Sequence, residues 1–194
     1  MTDDQRFAQL VSVACHDLRT PLATVFGFAR TLAREDLGPP SNRYVEMIDA
    51  AAGQMGDLLD LLSDVVRIET GRYQPHLVEI DSLELARSAA ELLGEERVQV
   101  DGEGGPVRVE PRTAARALAQ LSRAAARHGG HDVVTLTVRG AEIELAPVGP
   151  TAVPVILGED LRELGAPASA VVLRGLGAEL DVEGERLRVR LSAA

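Results

Sequence analysis

The sequence predicts an α-helical hairpin followed by an α/β sandwich, and three observations indicate this fold class. Two long segments before residue 71 repeat apolar residues every three or four positions, which is the spacing of an amphipathic helix. The connector between them, EDLGPPSN, contains Gly and Pro. Beyond Pro75, short alternating runs are interspersed with short helical segments, the order of a mixed sheet covered by helices. We therefore expect two domains, residues 1–73 and 74–194.

Each of the two long helices is predicted to carry one apolar stripe. The stripes comprise Phe7, Val11, Ala14, Leu18, Val25, Phe28 and Leu32 in the first helix, and Val45, Ile48, Ala52, Met55, Leu59, Leu62 and Val66 in the second. Ser41 or Asn42 is expected to cap the second helix. A lone hairpin leaves much of each stripe in water, so we expect a homodimer in which two hairpins form a four-helix bundle. The alternative is that the stripes pack on the chain's own second half.

In the second half, Asp81 followed by Glu84 resembles a capping box, which predicts a helix to about Leu93. Pro111 suits the first turn of another helix, which is expected to run to about His128. Short helices are expected within residues 159–173, after a loop rich in Pro and Gly. The predicted strands lie at 77–80, 98–100, 107–110, 133–139 and 141–146, with two more on either side of Glu183-Gly184.

Composition excludes several classes of protein. The net charge is −10, and the sequence has no basic run, which disfavours binding to nucleic acid or to an anionic membrane. The single cysteine, Cys15, excludes an internal disulfide and a cysteine-rich metal site. The sequence contains neither the roughly 18 consecutive apolar residues of a membrane helix nor a signal peptide. We expect a cytoplasmic protein, and the start at Met1 suggests a whole chain.

The first helix contains VACHDLRTPLATV, in which His16 stands beside Asp17. Because residues advance by about 100° along a helix, His16 points away from the apolar stripe and Thr20 lies one turn further on the same face. The Asp17 carboxylate can bond one imidazole nitrogen and leave the other as a nucleophile. Pro21 cannot donate to the Asp17 carbonyl and is expected to kink or loosen the helix. The alternative is that His16 is an ordinary solvated residue.

Residues 16–22, HDLRTPL, with Phe7 upstream, resemble the phosphoacceptor box of the sensor histidine kinases of two-component signalling. The end of the second helix, LLDLLSDVVRIETGRY, resembles the family's stretch before the catalytic domain, so the resemblance covers residues 4–73. It implies that His16 is phosphorylated, that Asp17 is the general base, and that Asp17 and Thr20 form the family's acid-x-x-Thr phosphatase motif. It also implies a response-regulator receiver domain as partner. Arg19 is expected to help neutralise the phosphoryl group.

The second half resembles the family's ATP-binding domain in its order of elements, but the nucleotide contacts are missing. Where the family has an Asn that coordinates Mg²⁺, this chain has Ala124, and where it has an Asp that recognises adenine, this chain has Pro147. The second glycine box is absent, and Gly175-Leu176-Gly177 is interpreted as a turn. The segment available for an ATP lid is short. We therefore expect a degenerate pocket and no cofactor, with ATP and Mg²⁺ required only if the chain is an active kinase.

These features favour a histidine phosphotransferase that carries phosphate on His16 between receiver domains. The alternatives are an active sensor histidine kinase with a divergent ATP site, and a non-catalytic dimeric interaction module, or pseudokinase. A plain dimerisation hairpin with an α/β appendage would leave HDLRTPL unexplained. His128 and His131 suit a helix C-terminus better than a metal site, so no metal ligands are expected. His76 and Cys15 are interpreted as structural.

Overall fold

The computed structural model divides the chain into two compact units, Met1–Arg72 and Tyr73–Ala194, and each is described by itself. Backbone structure is described for residues 3–35, 38–94 and 96–194. In the first helix, the side chains at 3–10, 12–14, 17 and 21 lie outside the description. The stripe positions Phe7 and Ala14 fall among them.

The first unit is a helical hairpin of α1 (Asp3–Leu32) and α2 (Ser41–Glu69). The two helices run antiparallel, since Arg19 pairs with Asp60 and Arg30 with Asp49. The expected cap at Ser41 or Asn42 is wrong, because Pro40 occupies the N-cap position and no side chain caps the helix. The Gly38 carbonyl instead accepts hydrogen bonds from the N–H groups of Ser41 and Asn42, at 3.0 and 3.3 Å.

The hairpin buries small and medium-sized residues and leaves large apolar ones exposed. Those at most 5% exposed are Cys15, Ala29, Val45, Ala52 and Leu61. Among the side chains that the structure describes in this hairpin, eight large apolar ones are exposed, and Phe28, at 67%, is the most exposed of them. We call this surface the exposed apolar face; it comprises Leu18, Val25, Phe28, Leu32, Tyr44, Met47, Ile48 and Met55.

The second unit is an α/β sandwich with two sheets. Its elements are β1 (Val78–Asp81), α3 (Ser82–Glu91), β2 (Val98–Gly104), β3 (Pro106–Val109), α4 (Pro111–Gly129), β4 (Val134–Gly140), β5 (Glu142–Ala146), α5 (Val153–Leu157), α6 (Gly165–Gly175), β6 (Glu179–Glu183) and β7 (Arg186–Arg190).

The larger sheet has five strands in the order β2-β4-β5-β7-β6, and within it only β2 and β4 pair in parallel. The strands β1 and β3 form a separate antiparallel pair, which the sequence did not distinguish from the main sheet.

The core of this unit follows from strand alternation. Alternate residues of the central strands are fully or almost fully buried: Leu136, Val138, Ile143, Leu145, Leu187 and Val189. Buried leucines of the helices, such as Leu118 and Leu121, complete the core. The residues between the buried strand positions are charged or polar. Among them Glu144 is 6% exposed, and its carboxylate lies 3.4 to 3.7 Å from the guanidinium groups of Arg139, Arg186 and Arg188, which offset its burial.

Local sequence signals predicted most element ends correctly. The Asp81 carboxylate accepts hydrogen bonds from the N–H groups of Leu83 and Glu84, at 2.9 and 3.2 Å, as its cap role predicts. Pro111 begins α4. The prediction that the short helices begin at residue 159 was wrong, because α5 lies before that residue. Five residues are too few for a helical period to show in the sequence.

Among the residues that the structure describes, no helix combines the length and apolarity needed to cross a bilayer.

Candidate functional site

His16 lies on a face of α1 that belongs neither to the hairpin interior nor to the exposed apolar face. Cys15 is only 2% exposed and belongs to the hairpin interior, whereas Leu18 is 55% exposed and belongs to the exposed apolar face. His16 is exposed and lies roughly 160° around the helix from Leu18. The imidazole is therefore presented to solvent on a side of the helix that packing leaves available.

Three predicted site residues meet in one shallow, open depression. It is lined by His16, Arg19, Thr20, Ala23 and Thr24, which follow one another at the spacing of successive helical turns. Asp17 lies on the same helix, but its side chain is outside the described set, so its predicted bond to the imidazole stays a prediction. The depression combines an imidazole, a guanidinium and a hydroxyl group within reach of one bound group.

Pro21 does not interrupt the helix that carries these residues. The α1 helix runs without a break from Asp3 to Leu32. The expected kink or loosening at Pro21 stays a prediction. The Thr24 hydroxyl donates to the Thr20 carbonyl, 3.2 Å away, which is the usual back-bond of a helical threonine. The Thr20 side chain is exposed at the depression.

Arg19 has a partner that the sequence did not reveal. Its Nη2 lies 2.9 Å from Oδ1 of Asp60 on α2, and the two side chains are 48% and 40% exposed. Arg19, which we expected to neutralise a phosphoryl group, therefore already bonds a carboxylate. A second cross-helix pair, Arg30 with Asp49, lies further along the hairpin at 3.6 Å. Such pairs depend on the register between two helices, which one helix's periodicity does not specify.

The chemistry available here is transfer onto an exposed imidazole. A neutral imidazole keeps one nitrogen lone pair that can attack phosphorus, while the other nitrogen carries the proton. A guanidinium stabilises phosphoryl oxygens through paired N–H donors. The Thr20 hydroxyl lies one turn from His16, where it can bond a water molecule next to the reacting group. The arrangement suits the formation and breaking of a phosphorus–nitrogen bond.

In the α/β unit, the two positions that the resemblance assigns to nucleotide contacts carry no polar side-chain atom. Ala124 of α4 is fully buried, and Pro147 directly follows β5. The backbone of the loop after β5 also approaches α4 closely, since a Cβ added to Gly149 would lie 2.9 Å from the Cα of Gly129. Residues without side-chain oxygens do not fit Mg²⁺ or the adenine amino group.

Polar bonds fasten the segment after β5 to the end of α4. The Thr151 hydroxyl donates to the His128 carbonyl oxygen. Nε2 of His128 lies 2.9 Å from Oε2 of Glu163, and Arg127 lies 3.6 Å from the same oxygen. These bonds join one helix end to two points of the segment between β5 and α6. These bonds therefore tie the segment that follows Pro147 to the helix that contains Ala124.

Of the remaining histidine and glycine positions that the sequence singled out, His131, Gly175 and Gly177 lie at or just after the ends of helices. His131 follows the end of α4, and its Nε2 is buried with no hydrogen-bond partner. In the described part of the chain, no group of three or more His, Cys, Asp or Glu side chains is arranged to hold a metal. Gly175 ends α6, and Gly177 has φ of 87°, as expected for a turn before β6.

Comparison with protein families identifies the hairpin. Residues 8–71 match the His Kinase A (phospho-acceptor) domain. The matched range contains His16, Arg19 and Thr20 and nearly all of both helices.

Two curated relatives extend this result. Histidine protein kinase DivJ of Caulobacter vibrioides is 32% identical, and the alignment covers 96% of this chain and 33% of DivJ. The circadian input-output histidine kinase CikA of Thermosynechococcus vestitus is 38% identical, over 31% of this chain and 9% of CikA. The chain thus spans about a third of DivJ and a smaller part of CikA.

Solved structures match the architecture. Full-length ShkA in complex with AMPPNP has a TM-score of 0.58 at 18% identity, covering 96% of this chain and 47% of ShkA. The histidine kinase AdeS of Acinetobacter baumannii has a TM-score of 0.54 at 15% identity, covering 91% of this chain and 97% of the AdeS chain. At these identities the likeness concerns the fold, which is a helical phosphoacceptor region followed by an α/β domain of the histidine kinase ATPase type.

Proposed function

We propose that this chain, which belongs to the sensor histidine kinase family of two-component signalling, carries phosphate on His16 without charging itself from ATP. It exchanges that phosphate with the aspartate of a response-regulator receiver domain. The observation that carries the proposal is the exposed His16 in one depression with Arg19 and Thr20, inside the matched phosphoacceptor domain.

The transfer step is balanced without any added cofactor in this chain. An imidazole nitrogen of His16 attacks the phosphorus of a receiver aspartyl phosphate, a phosphorus–nitrogen bond forms, and the acyl-phosphate phosphorus–oxygen bond breaks. The carboxylate of the receiver leaves with the bond's electron pair. The imidazole's other nitrogen carries the proton, which passes to water or to a nearby carboxylate such as that of Asp17, so the transfer does not require Asp17 itself. The reverse step returns the phosphoryl group to a receiver aspartate, so the same residues serve both directions.

The absence of ATP-dependent charging is supported by the α/β unit. Ala124 and Pro147 offer no ligand for Mg²⁺ and no acceptor for adenine. The contact of Gly149 with Gly129 and the His128–Glu163 bond hold together the elements that border these positions.

A second candidate is an active sensor kinase with a divergent nucleotide site. The retention of HDLRTPL, including Asp17 and Thr20, favours it, since phosphate transfer alone needs neither residue. A non-catalytic interaction module is the third candidate, and the exposed imidazole of His16 argues against it.

The exposed apolar face supports a homodimer. Its members lie on both helices of the hairpin, and Phe28 is 67% exposed. A surface of this kind on paired helices is the one that a second hairpin covers in a four-helix bundle. Each His16 then stays outside the bundle, because it lies on another side of α1.

Replacing the phosphoacceptor tests the proposal. His16→Ala should abolish uptake of phosphate from purified receiver domains precharged with acetyl phosphate. The melting temperature should change by no more than about 1 °C, because an exposed helix position contributes little to folding. His76→Ala, which removes an exposed histidine outside the hairpin helices, is the matched control and should transfer normally. Transfer that persists in His16→Ala, or a large loss of stability, would contradict the assignment.

The role of Thr20 is tested separately. Thr20→Ala should leave phosphate uptake within about twofold and slow dephosphorylation of the receiver about tenfold or more, because only the hydrolytic step needs an oriented water. Thr24→Ala removes a second hydroxyl from the same depression and serves as control. Equal rates in Thr20→Ala and Thr24→Ala would show that Thr20 has no special part in hydrolysis.

The dimer is tested by a charge on the exposed apolar face. Phe28→Glu should give a monomer by light scattering at micromolar concentration, because association would bury an unpaired carboxylate. Arg34→Glu changes an exposed residue beyond the end of α1 and should stay dimeric. A dimer that survives Phe28→Glu would mean that the chains associate through another surface or that this face stays in water.

A further inference from the structure

We propose that Asp60 of α2 is a positioning residue for the phosphoacceptor site. It holds the guanidinium of Arg19 when His16 is unmodified, and a phosphoryl group on His16 competes with it for the same guanidinium. The inference rests on the proposed function, because it concerns the phosphorylated form of His16. It adds a residue of the second helix to a site otherwise built from the first.

The contact geometry supports competition. Nη2 of Arg19 lies 2.9 Å from Oδ1 of Asp60, which is a charge-assisted hydrogen bond between the helices. His16 and Arg19 line the same depression. They are three residues apart on α1, so their Cβ atoms lie about 5–6 Å apart. A phosphoryl group on the imidazole is therefore placed within the range of the arginine side chain without movement of either helix.

The strength of the Arg19–Asp60 pair is suited to exchange. Both side chains are close to half exposed, so water and salt weaken their attraction and the pair can open. A phosphoryl group offers more negative charge than one carboxylate and three acceptor oxygens, which fit the paired donors of arginine. Once His16 is phosphorylated, we expect the Arg19 guanidinium to exchange between Asp60 and the phosphoryl group.

Competition has a consequence for phosphate transfer. When Arg19 turns to the phosphoryl group, its hydrogen bond to the Asp60 carboxylate must break. This loss opposes the charged state and keeps the phosphoryl group from being held too firmly. Asp60 therefore adjusts how strongly the site retains phosphate, although it need not touch the phosphoryl group itself.

The test loads phosphate chemically and follows it by phosphorus NMR. Potassium phosphoramidate transfers its phosphoryl group to an exposed imidazole with release of ammonia, and His16→Ala identifies the resonance of His16. The pH midpoint of that resonance reports the positive charge close to the phosphoryl group. Because loading requires no receiver domain, failure of the proposed function, which would show as absent exchange with receivers, is distinguishable from failure of this inference.

Asp60→Asn should lower the midpoint by about half a pH unit, because Arg19 then stays on the phosphoryl group and its positive charge disfavours protonation of the phosphorylated imidazole ring. Arg19→Ala should raise it. Asp60→Glu, which keeps the carboxylate, should restore the wild-type midpoint. The matched control is Asp49→Asn, which removes the carboxylate of the other cross-helix pair, Arg30–Asp49, and should leave the midpoint unchanged.

A double variant separates action through Arg19 from the direct field of Asp60. In the Arg19→Ala background, Asp60→Asn should change the midpoint by much less than it does in the wild type. An equal shift in both backgrounds would mean that Asp60 acts on the phosphoryl group by its own charge, and the inference would be overturned. No shift for Asp60→Asn in the wild type would overturn it as well and would make the pair an ordinary surface contact.

Discussion

The packing of α1 against α2 is the interaction on which the phosphoacceptor site depends. Cys15 and Ala29 of α1 are buried, and Arg19 and Arg30 of the same helix reach Asp60 and Asp49 of α2, which defines the rotation of α1 about its own axis. Once that rotation is fixed, the 100° step of the helix places His16 in water. It also brings Arg19 to Asp60 at 2.9 Å. The exposure of the His16 imidazole thus follows from the packing of residues on other faces of the same helix.

The α/β unit is held together by a core of apolar side chains. The core positions on β4, β5 and β7 and the buried leucines of α4 do not depend on any ligand. Ala124 is part of that core, and the contact between Gly129 and Gly149 joins the same helix to the loop after β5. Substitutions that remove polar nucleotide ligands and add apolar packing do not weaken such a core. The fold of this unit can therefore be kept with or without the nucleotide contacts.

The sequence predicted the fold well where local physics decides it. Helical periodicity gave α1 and α2, and the Asp81 and Pro111 signals marked the starts of α3 and α4. It failed where the outcome depends on distant parts of the chain. The separate β1–β3 sheet follows from strand partners, and the Arg19–Asp60 pair follows from interhelical register. The five-residue α5 was missed because it is too short for a period. The placement of His16, Arg19 and Thr20 on one side of α1 could be predicted because they lie close together on one helix, and their roles stay predictions.

In the proposed function, phosphate reaches His16 from a receiver and not from ATP. The first experiment is incubation of the purified chain with radiolabelled ATP and Mg²⁺, beside His16→Ala. We expect no acid-labile label on either protein, because Ala124 and Pro147 supply none of the side-chain contacts that ATP and Mg²⁺ require. Acid-labile label on the wild type alone would overturn the proposed function and show that the chain is a working kinase with a divergent nucleotide site.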